Sequence, residues 1–542
     1  MKLKLSFIIL IVYQLSYGQT VDTVVFPDDF QTTADYMAKK DRVLYFDQTL
    51  VVSDNSQWQK YGELKLSSLR LFNPTDMARP NSSDYQDIIS ENAKNWIYID
   101  DGSSQTNPTP LPFSSADGTR RIGSRINNLK ATLRQYSWGW ALVPVDDLAS
   151  LQFYGNERPA SVEFDTNYNL KVASFNLEYY LYSNYGTGYG PDNYEEAARQ
   201  HSKILKAIMA IDADIYGLIE IQQGQQALQK LCFAMNEEKG EEVFDFINDG
   251  GSAYGSYTKV GFIYRKDKVQ PFGSLKNINT VVQHRKKLQG FQMKSNGEKF
   301  ILSLNHFKSK TGSNASGNNA DLGDGQGKFN GDRIREAQAV ISAMPAYISS
   351  VGDDDVLVVG DLNAYSEEDP LEVFYQNNFI NMLKNESPES YSYLYQGLSG
   401  CLDHALASPT MAQQIADVEV FHINADEPSM FEYSEPTYQD NMYRCSDHDA
   451  VVVALNLGIT NGIANTNNNK NFVEIISTNE FKIKDAEGKW LSVFSSAGMQ
   501  ILHKQIQSNE EIIKIDKDGV GVFFIYIDGA NDRFPQMQKV IF

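Results

Sequence analysis

The chain has 542 residues and a formal net charge of −21 at pH 7. This length exceeds what one hydrophobic core supports and predicts about three domains. The acidic excess excludes charge-driven wrapping of nucleic acid over the whole surface, although it permits a local basic groove. With only three cysteines, the sequence has no disulfide framework.

The N-terminal 18 residues have the pattern of a secretory signal. Two lysines precede the apolar run 7–12, and the small residues Ser16 and Gly18 suit cleavage before Gln19. The apolar run is far shorter than the roughly 20 residues that span a bilayer, which disfavours a membrane anchor. We therefore expect residues 1–18 to be removed, the mature protein to act outside the cell or at its surface, and no stable membrane insertion.

Residues 23–165 predict an all-β domain that serves for binding or packing. Short runs rich in β-branched and aromatic residues alternate with turn clusters such as Ser53–Ser56. This region contains no catalytic pattern. The expected strands are 43–46, 49–52, 63–66, 121–129 and 136–143.

Between residues 166 and 458 the predicted strands and helices alternate, which is typical of an α/β sandwich with helices covering its sheets. The apolar run Val356–Val359 is bounded by Asp and Gly and predicts a strand buried on both faces. The other expected strands are 171–175, 214–220, 259–264 and 300–304, and the expected helices are 194–209, a second one ending near 235, and 332–349.

Six of the apolar runs in this region are bordered by polar residues that can bind a metal or move a proton. Asp361 and Asn363 are two residues apart, so in an extended chain their side chains point the same way. Strand ends are where α/β proteins assemble their sites. The bordering residues are Asn176, Glu178, Glu220, Asn305, His306, Asp361, Asn363, Asp403, His404, Asp447 and His448.

The residue types indicate the chemistry. Carboxylate and amide oxygens suit a hard cation, Mg²⁺ or Mn²⁺. A zinc motif such as HExxH, a phosphate-binding glycine loop and a GxSxG elbow are all missing from the sequence. These observations favour metal-assisted attack of water on a phosphodiester. We interpret His404, His201, His422 and His503 as structural.

Three further segments bear on organisation. The loop 311–331 is rich in Gly, Asn, Ser and Asp, and its Asp321 and Asp324 suggest calcium, but their spacing does not fit an EF-hand, so a calcium site is disfavoured. Residues 459–471 are a polar linker. Residues 472–542 alternate like small antiparallel sheets and predict an independent β-sandwich.

Six segments, in the expected order, resemble the endonuclease/exonuclease/phosphatase superfamily, and in particular its secreted bacterial endonucleases with an N-terminal OB-like domain. The resemblance covers about 23–458 and is weaker over the N-terminal domain. It implies a four-layer α/β sandwich preceded by an all-β OB-like domain. The segments are Ser174–Glu178, Gly217–Glu220, Asn305–Lys310, Gly360–Ala364, Leu402–Leu406 and Ser446–Asp449.

The resemblance also implies roles for individual residues. Glu220 would be the principal metal ligand, with Asn176, Glu178 and Asp447 completing or supporting the metal and phosphate site. The catalytic group would be Asp361, positioned by Asn363; His448, oriented by Asp403; and His306, in contact with the scissile phosphate. Either Asp361 or His448 could be the base.

Three basic residues are candidates for substrate binding. Arg285 lies where these nucleases place a substrate-side arginine, although His284–Lys287 could also be a solvated basic turn. Lys308 and Arg333 would contact the phosphate backbone, and the alternative for each is an ordinary surface charge.

Cys401 and Cys445 each stand two residues before an aspartate of the predicted site. If the two aspartates share that site, the two thiols could be close enough for a disulfide, which export would permit. The alternative is two separate buried thiols. Cys232 falls within a helical pattern and is predicted to lie in the core.

The tail resembles the C-terminal sorting domain of type IX secretion. The segments that carry this resemblance are Val493–Leu502, Gly519–Ile527 and Gln538–Phe542. It implies passage through the periplasm and export by the type IX machinery. The alternative is a carbohydrate-binding or generic β-sandwich module.

The sequence therefore predicts a secreted, metal-dependent phosphodiesterase, a DNA/RNA endonuclease of low sequence specificity that holds the nucleic-acid backbone. One alternative is a sphingomyelinase-like phospholipid or small-phosphate hydrolase on the same scaffold. Another is a catalytically inactive surface binding module. The oligomeric state is left open.

Overall fold

The computed structural model describes residues 21–250, 256–282 and 284–458, and beyond them 473–477, 480–484, 486–487, 489–495, 500–514, 522–528 and 536–541. The predicted signal sequence and linker lie outside the described residues. Within them, helices that combine the length and apolarity needed to cross a membrane are not found. The chain forms two compact units: residues up to 70 together with 94–157, and residues 71–93 together with those from 158 onward.

The first unit contains a nine-stranded mixed sheet. Its strands are β1 (Val21–Val24), β2 (Val43–Phe46), β3 (Leu50–Asp54), β4 (Leu64–Ser67), β5 (Ile97–Ile99), β6 (Arg125–Ile126), β7 (Leu129–Tyr136), β8 (Gly139–Pro144) and β9 (Phe153–Tyr154). The strand order is β1-β2-β7-β8-β5-β4-β3-β6-β9. Pairs β1–β2 and β5–β8 are parallel.

Two expectations for this region are wrong. It is not all-β, because helices α1 (Thr33–Lys39) and α2 (Trp58–Tyr61) interrupt the strands. Helix α1 begins with a capping box, in which Thr32 and Asp35 each bond the other's backbone N–H. The expected strand 121–129 begins only at Arg125. Residue Gly123 lies in a turn with φ +92°, and its N–H donates to Val52 O of strand β3. The OB-like assignment stays a prediction.

Residues 71–93, expected in the N-terminal domain, pack in the second unit. They contain α3 (Pro74–Met77) and most of α4 (Ser83–Lys94). Asp76 is buried, and its carboxylate accepts from Lys384 Nζ at 2.6 Å and from Ser366 Oγ at 2.7 Å. Thr75 Oγ1 donates to Glu368 Oε1 at 2.8 Å. These buried polar contacts fix the segment against residues about 300 positions further along the chain.

The second unit is built on two six-stranded sheets. Its strands are β10 (Leu170–Tyr180), β11 (Ile215–Gln222), β12 (Phe244–Phe246), β13 (Thr258–Arg265), β14 (Val269–Asn277), β15 (Lys286–Met293), β16 (Lys299–His306), β17 (Val356–Asp361), β18 (Ile380–Asn381), β19 (Tyr393–Tyr395), β20 (Leu398–Gly400), β21 (Asp403–Ala407), β22 (Ile415–Phe421) and β23 (Ala450–Leu455). The first sheet has the order β12-β13-β11-β10-β23-β22, and the second has β14-β15-β16-β17-β21-β18.

The helices of this unit are α5 (Tyr194–Ile211), α6 (Gln226–Lys239), α7 (Asn330–Val351), α8 (Asp369–Tyr375), α9 (Met382–Glu386) and α10 (Pro409–Ala412). Helix α5 starts where the Asn193 side chain accepts the N–H of Glu196 at 3.0 Å. Helices α6 and α7 end at Gly240 and Gly352, both in the left-handed conformation typical of C-caps.

Neighbouring residues on the central strands pack in different layers. Ile219 and Leu357 belong to the cluster between the two sheets. Leu218 packs with α5 and α6, and Val358 packs with α7 and α8. The layers therefore run helix, sheet, sheet, helix, which confirms the mixed α/β prediction.

Strand directions bring the polar residues to one edge of these sheets. Strands β10 and β11 run parallel, as do β16 and β17. Strands β21 and β23 run antiparallel to their neighbours β17 and β10, so their first residues meet the last residues of the other four. Gly360 permits a close approach here, since a Cβ at that position would lie 1.9 Å from Asn305 O.

The C-terminal strands form two antiparallel sheets, as predicted for a small β-sandwich. They are β24 (Val473–Ser477), β25 (Glu480–Lys484), β26 (Trp490–Ser495), β27 (Gln500–Gln505), β28 (Glu510–Lys514), β29 (Val522–Asp528) and β30 (Gln536–Ile541). The sheets have the orders β24-β25-β28 and β27-β26-β29-β30. Phe481, Leu491 and Ile525 share one buried cluster.

Candidate active site

Three polar residues of the second sheet lie side by side across three strands. His306 is paired with Asp361 in the β16–β17 register, and Asp361 is paired with Asp403 in the β17–β21 register. All three are buried. His448, two residues before β23, joins them from the other sheet and completes a compact group.

Asp361 is the most heavily hydrogen-bonded carboxylate of this group. Its Oδ1 accepts the Asn363 backbone N–H at 2.8 Å, and its Oδ2 accepts the amide groups of Asn363 and Asn176, both at 3.1 Å. These bonds and the positive charge of His448 favour the ionised form. Burial and the nearby Asp403 outweigh them and raise the pKa of Asp361 above its usual range. Such a carboxylate can accept a proton near neutral pH.

His448 is held by a buried carboxylate and an aromatic ring. Its Nδ1 lies 2.6 Å from Asp403 Oδ2, and its ring centroid lies 4.6 Å from that of Tyr393. Its Nε2 is left facing Asp361 Oδ2 and Asp447 Oδ1, each at 4.0 Å. Burial would lower the pKa of His448, but Asp403 and then Asp447 outweigh it and raise that pKa well above its usual range. This environment favours the charged form of the imidazole.

His306 has the opposite electrostatic environment. Its Nε2 lies 3.6 Å from Glu220 Oε1 and 3.7 Å from Asp361 Oδ2. Burial, reinforced by the positive charges of Arg285 and His448, lowers its pKa well below its usual range. Its buried Nδ1 has no hydrogen-bond partner among the described residues. Asp361 thus lies between His306, whose environment favours the neutral form, and His448, whose environment favours the charged form.

Three acidic side chains lie on the first-sheet side of this group: Glu178, Glu220 and Asp447. Burial raises the pKa of Glu178 well above its usual range, and the charges of Asp447 and Glu432 raise it further. Burial, opposed by Arg285, raises the pKa of Glu220 to about 7. Glu178 Oε2 is buried without a hydrogen-bond partner in the described structure.

These three side chains carry oxygen ligands of the kind that a divalent cation prefers, although their oxygens do not all lie within 4.8 Å of one another in the described structure. An orphaned buried carboxylate oxygen and mutual repulsion between acids are both relieved by a bound positive charge, and oxygen ligands are those that Mg²⁺ and Mn²⁺ prefer. Asn176, predicted as a ligand, bonds Asp361 with its amide nitrogen and the Glu178 N–H with its Oδ1 at 3.1 Å. It therefore links the acidic group to the catalytic one.

The backbone is irregular where it presents these side chains. The pairing of β10 with β11 shifts register between Asn176 and Tyr180, and Glu178, Tyr179 and Glu220 all have positive φ, between +48° and +58°. Asn363 is also in this region, at φ +48°. Bulges and left-handed residues of this kind redirect side chains next to active sites.

Arg285 and Lys308 lie beside the group, and their contact with substrate stays a prediction. Arg285 acts electrostatically on both Glu220 and His306, and its Nη2 donates to Ser256 Oγ and Thr258 Oγ1, both at 3.2 Å. Lys308 is half-buried, with its Nζ 4.2 Å from the centre of the Phe329 ring.

The structure contradicts the substrate contact predicted for Arg333. This side chain is fully buried, and its guanidinium donates to the backbone oxygens of Lys308, Gln326 and Lys328 at 2.7–3.3 Å. It fastens the glycine-rich loop to helix α7. In the same loop, Asp324 Oδ1 accepts the Gln326 N–H at 3.0 Å.

The disulfide between Cys401 and Cys445 is not formed, since both thiols are free and buried. Cys401 packs in the cluster between the two sheets, whereas Cys445 packs in the cluster beneath α5 and α6. The alternative of two separate thiols is correct. Cys232 is also buried, as predicted.

Several residues that support the site were not predicted from the sequence. Ser392 Oγ donates to Asp403 Oδ2 at 2.9 Å, and Ser446 Oγ donates to Asn176 O at 2.7 Å. Asn424 Nδ2 donates to His448 O at 2.7 Å. Ser446 stands within one of the recognised segments and could have been noticed, but Ser392 and Asn424 have no local signal. His404 is structural, with its Nε2 2.8 Å from Ala364 O.

Comparisons with known proteins agree with this arrangement. Residues 173–448 match the endonuclease/exonuclease/phosphatase family. A comparison with curated proteins gave no match. Among solved structures, the endonuclease/exonuclease/phosphatase from Bacteroides vulgatus is 17% identical, with 53% of this chain and 98% of that chain covered and a TM-score of 0.37.

Two other similar structures carry bound groups. The human Nocturnin catalytic domain with bound sulfate is 15% identical, with 53% of this chain and 94% of that chain covered and a TM-score of 0.35. D. rerio TDP2 in complex with a single-strand DNA product is 15% identical, with 53% of this chain and 98% of that chain covered and a TM-score of 0.34. Because the family match spans over half of the 542 residues and contains the whole site, the chain belongs to the endonuclease/exonuclease/phosphatase family, which has a hydrolase scaffold.

Proposed function

We propose that this protein is a divalent-metal-dependent phosphodiesterase, a DNA/RNA endonuclease of low sequence specificity. The observation that carries the proposal is the sheet edge itself. There Asp361 lies between His306 and His448, and these imidazoles lie 3.6 Å from Glu220 and 4.0 Å from Asp447. Proton acceptors, positive charge and cation ligands in one place are the requirements of phosphodiester hydrolysis.

In this proposal Asp361 takes the proton of the attacking water. Asn363 and Asn176 fix the orientation of its carboxylate through their three hydrogen bonds. His448, held by Asp403, carries a positive charge with which Nε2 stabilises the negative charge that develops on the phosphate oxygens. His306 contacts the scissile phosphate as a neutral hydrogen-bonding group.

A cation held by Glu178, Glu220 and Asp447 would supply Lewis-acid stabilisation of that charge. We propose Mg²⁺ or Mn²⁺ for this position, because the available ligands are all oxygens. Arg285 and Lys308 would contact neighbouring phosphates of the same strand, because contacts with phosphate require local positive charge. Contacts with the backbone carry no sequence information, which supports low specificity.

Supercoiled plasmid, single-stranded RNA, sphingomyelin vesicles and inositol phosphates form a substrate panel that tests the proposal. The mature chain should nick plasmid and degrade RNA in Mg²⁺ or Mn²⁺ and lose both activities in EDTA. Preferential hydrolysis of sphingomyelin or inositol phosphate would favour the alternative substrates. Retention of DNA without any turnover in either metal would favour an inactive binding module and would contradict the proposal.

We also propose that the protein is secreted and that its tail directs type IX export. The charged and apolar pattern of residues 1–18 and the resemblance of the tail support this. Mass spectrometry of culture medium from the native host, with and without residues 472–542, tests it. Unchanged release of the truncated chain would contradict the role of the tail.

A further inference from the structure

Three tyrosine rings lie in a row beside the active site: Tyr189 is in the middle, stacked on Tyr179 and tilted by 40° against Tyr257. The Tyr179 and Tyr189 ring centroids are 5.1 Å apart with planes 22° from parallel, and those of Tyr189 and Tyr257 are 5.7 Å apart. Tyr189 is 51% exposed and Tyr257 is 43% exposed. We call these three residues the tyrosine shelf. The rings of Tyr189 and Tyr257 therefore offer aromatic surface to the solvent.

The loop that carries Tyr189 is held in place. Gly190 has φ +63°, and a Cβ there would lie 2.5 Å from Tyr179 O, so the loop rests directly on the backbone of Tyr179. Further back, Gln222 Oε1 accepts the N–H groups of Ser183 and Asn184 at 2.9 and 3.0 Å. The shelf is therefore formed before any ligand arrives, which reduces the entropic cost of binding.

The shelf is continuous with the catalytic group. The Tyr179 N–H donates to Glu220 Oε2 at 3.0 Å. Arg285 donates to Ser256 and Thr258, the two residues that flank Tyr257, and its backbone oxygen accepts the His306 N–H at 2.8 Å. One guanidinium thus connects the rings with the proposed phosphate contacts.

We propose that the tyrosine shelf binds unpaired nucleobases of the strand being cut, so that single-stranded nucleic acid is the preferred substrate. This inference rests on the proposed nuclease function. If the phosphates of a strand contact Arg285 and His306, its bases lie within reach of the tyrosine rings, because Arg285 also bonds the two residues that flank Tyr257. Every base offers a π-face, so stacking is compatible with low sequence specificity. In a duplex those faces are already occupied by neighbouring bases.

The test compares three fluorescent 20-mers in Mg²⁺: a single strand, the same sequence as a duplex, and a single strand that is abasic throughout. The wild-type protein should cleave the first with a lower KM than the other two. Tyr189→Ala should raise KM for the single strand about tenfold, with kcat within about twofold and no change for the abasic strand. Tyr189→Phe should restore the wild-type KM. Tyr194→Ala, at a tyrosine that is 68% exposed, is the matched control.

Each other outcome has one meaning. Cleavage of the single strand with an unchanged KM in Tyr189→Ala would overturn the shelf and leave the proposed function intact. If Tyr189→Ala raises KM for the duplex alone, the rings contact a duplex groove, and the proposal that they bind unpaired bases is overturned. If the folded wild-type protein cleaves none of the three strands, the nuclease function fails, and the shelf fails with it.

Discussion

Asp403 and His448 are 45 residues apart in the chain, yet Asp403 Oδ2 lies 2.6 Å from His448 Nδ1. The pair is buried, and each partner stands at or before the start of its strand. The carboxylate fixes the imidazole so that Nε2 points toward Asp361 and Asp447. It also supplies the largest favourable contribution to the positive charge of the ring.

Asp403→Asn should lower kcat by about a hundredfold or more, because an amide can neither hold the Nδ1–H tautomer nor stabilise the charged ring. KM should stay close to the wild-type value, since Asp403 does not face the substrate. Ser392→Ala removes one hydrogen bond to the same carboxylate and should cost about tenfold. Steady-state kinetics on plasmid or oligonucleotide measures both. Wild-type kcat in Asp403→Asn would contradict the assigned role.

Glu178→Gln should make the metal-free protein more stable and remove most of its response to Mg²⁺. The carboxylate is destabilised by burial and by Asp447 and Glu432, so neutralising it relieves repulsion and should raise Tm by about 2–4 °C in EDTA. A bound cation gains less from the neutral amide, so the Tm increase on adding Mg²⁺ should largely disappear.

Thermal denaturation in EDTA and in Mg²⁺ measures these effects of Glu178→Gln. Asp87→Asn is the matched control, since Asp87 is an exposed acid on helix α4 and lies outside the proposed cation site. The control should keep the wild-type response. A full Mg²⁺ response in Glu178→Gln would exclude Glu178 from the cation site.

Arg333→Ala should destabilise the protein without removing a substrate contact. Its loss removes one donor from the backbone oxygens of Lys308, Gln326 and Lys328 and should lower the free energy of unfolding by about 3 kcal/mol. The Gln326 oxygen keeps a second donor, Lys310 Nζ, at 2.9 Å. Limited proteolysis should then cut within the loop 311–331. Arg335→Ala, two residues on and exposed, is the control and should be neutral in urea unfolding. Unchanged stability together with a raised KM would restore the substrate role that the sequence predicted.

Glu63→Gln should stabilise the protein at pH 8 but not at pH 4.5. Burial, reinforced by Asp100, raises the pKa of Glu63 to about 7. A raised carboxyl pKa favours the folded state at low pH, and this contribution is lost as pH rises from about 4.5 through about 7. The amide of Glu63→Gln does not titrate, so the variant should gain stability relative to wild type as pH rises from about 4.5 to about 7. Urea unfolding at several pH values measures this difference. Glu157→Gln is a control at an exposed acid. Parallel pH profiles for wild type and Glu63→Gln would contradict the assignment.

The parts of this structure that follow from the sequence are those encoded locally. The run Val356–Val359 is buried on both faces, and the spacing of Asp361 and Asn363 places both at its end. Helix α5 begins at Tyr194 as predicted, because Asn193 caps it. Buried strands followed by Asp, Asn or Glu thus located most of the site.

The parts that could not be predicted depend on distant pairing. Nothing local distinguishes an arginine that contacts phosphate from Arg333, whose partners are carbonyls of a folded loop. The sequence left open whether the two thiols are close, because that depends on layers that it does not show: Cys401 and Cys445 pack in different hydrophobic clusters. The packing of Asp76 with Lys384 joins residues 308 positions apart and moves a whole segment into the second unit.

The claim that this sheet edge hydrolyses phosphodiesters is best tested by plasmid nicking in Mg²⁺. The measurement compares the wild-type protein with the near-isosteric variant Asp361→Asn. Wild type and Asp87→Asn should nick at the same rate, and Asp361→Asn should be folded but at least about a thousandfold slower. Nicking by Asp361→Asn at the wild-type rate would contradict the account, because the group that it assigns to the attacking water would then not be needed.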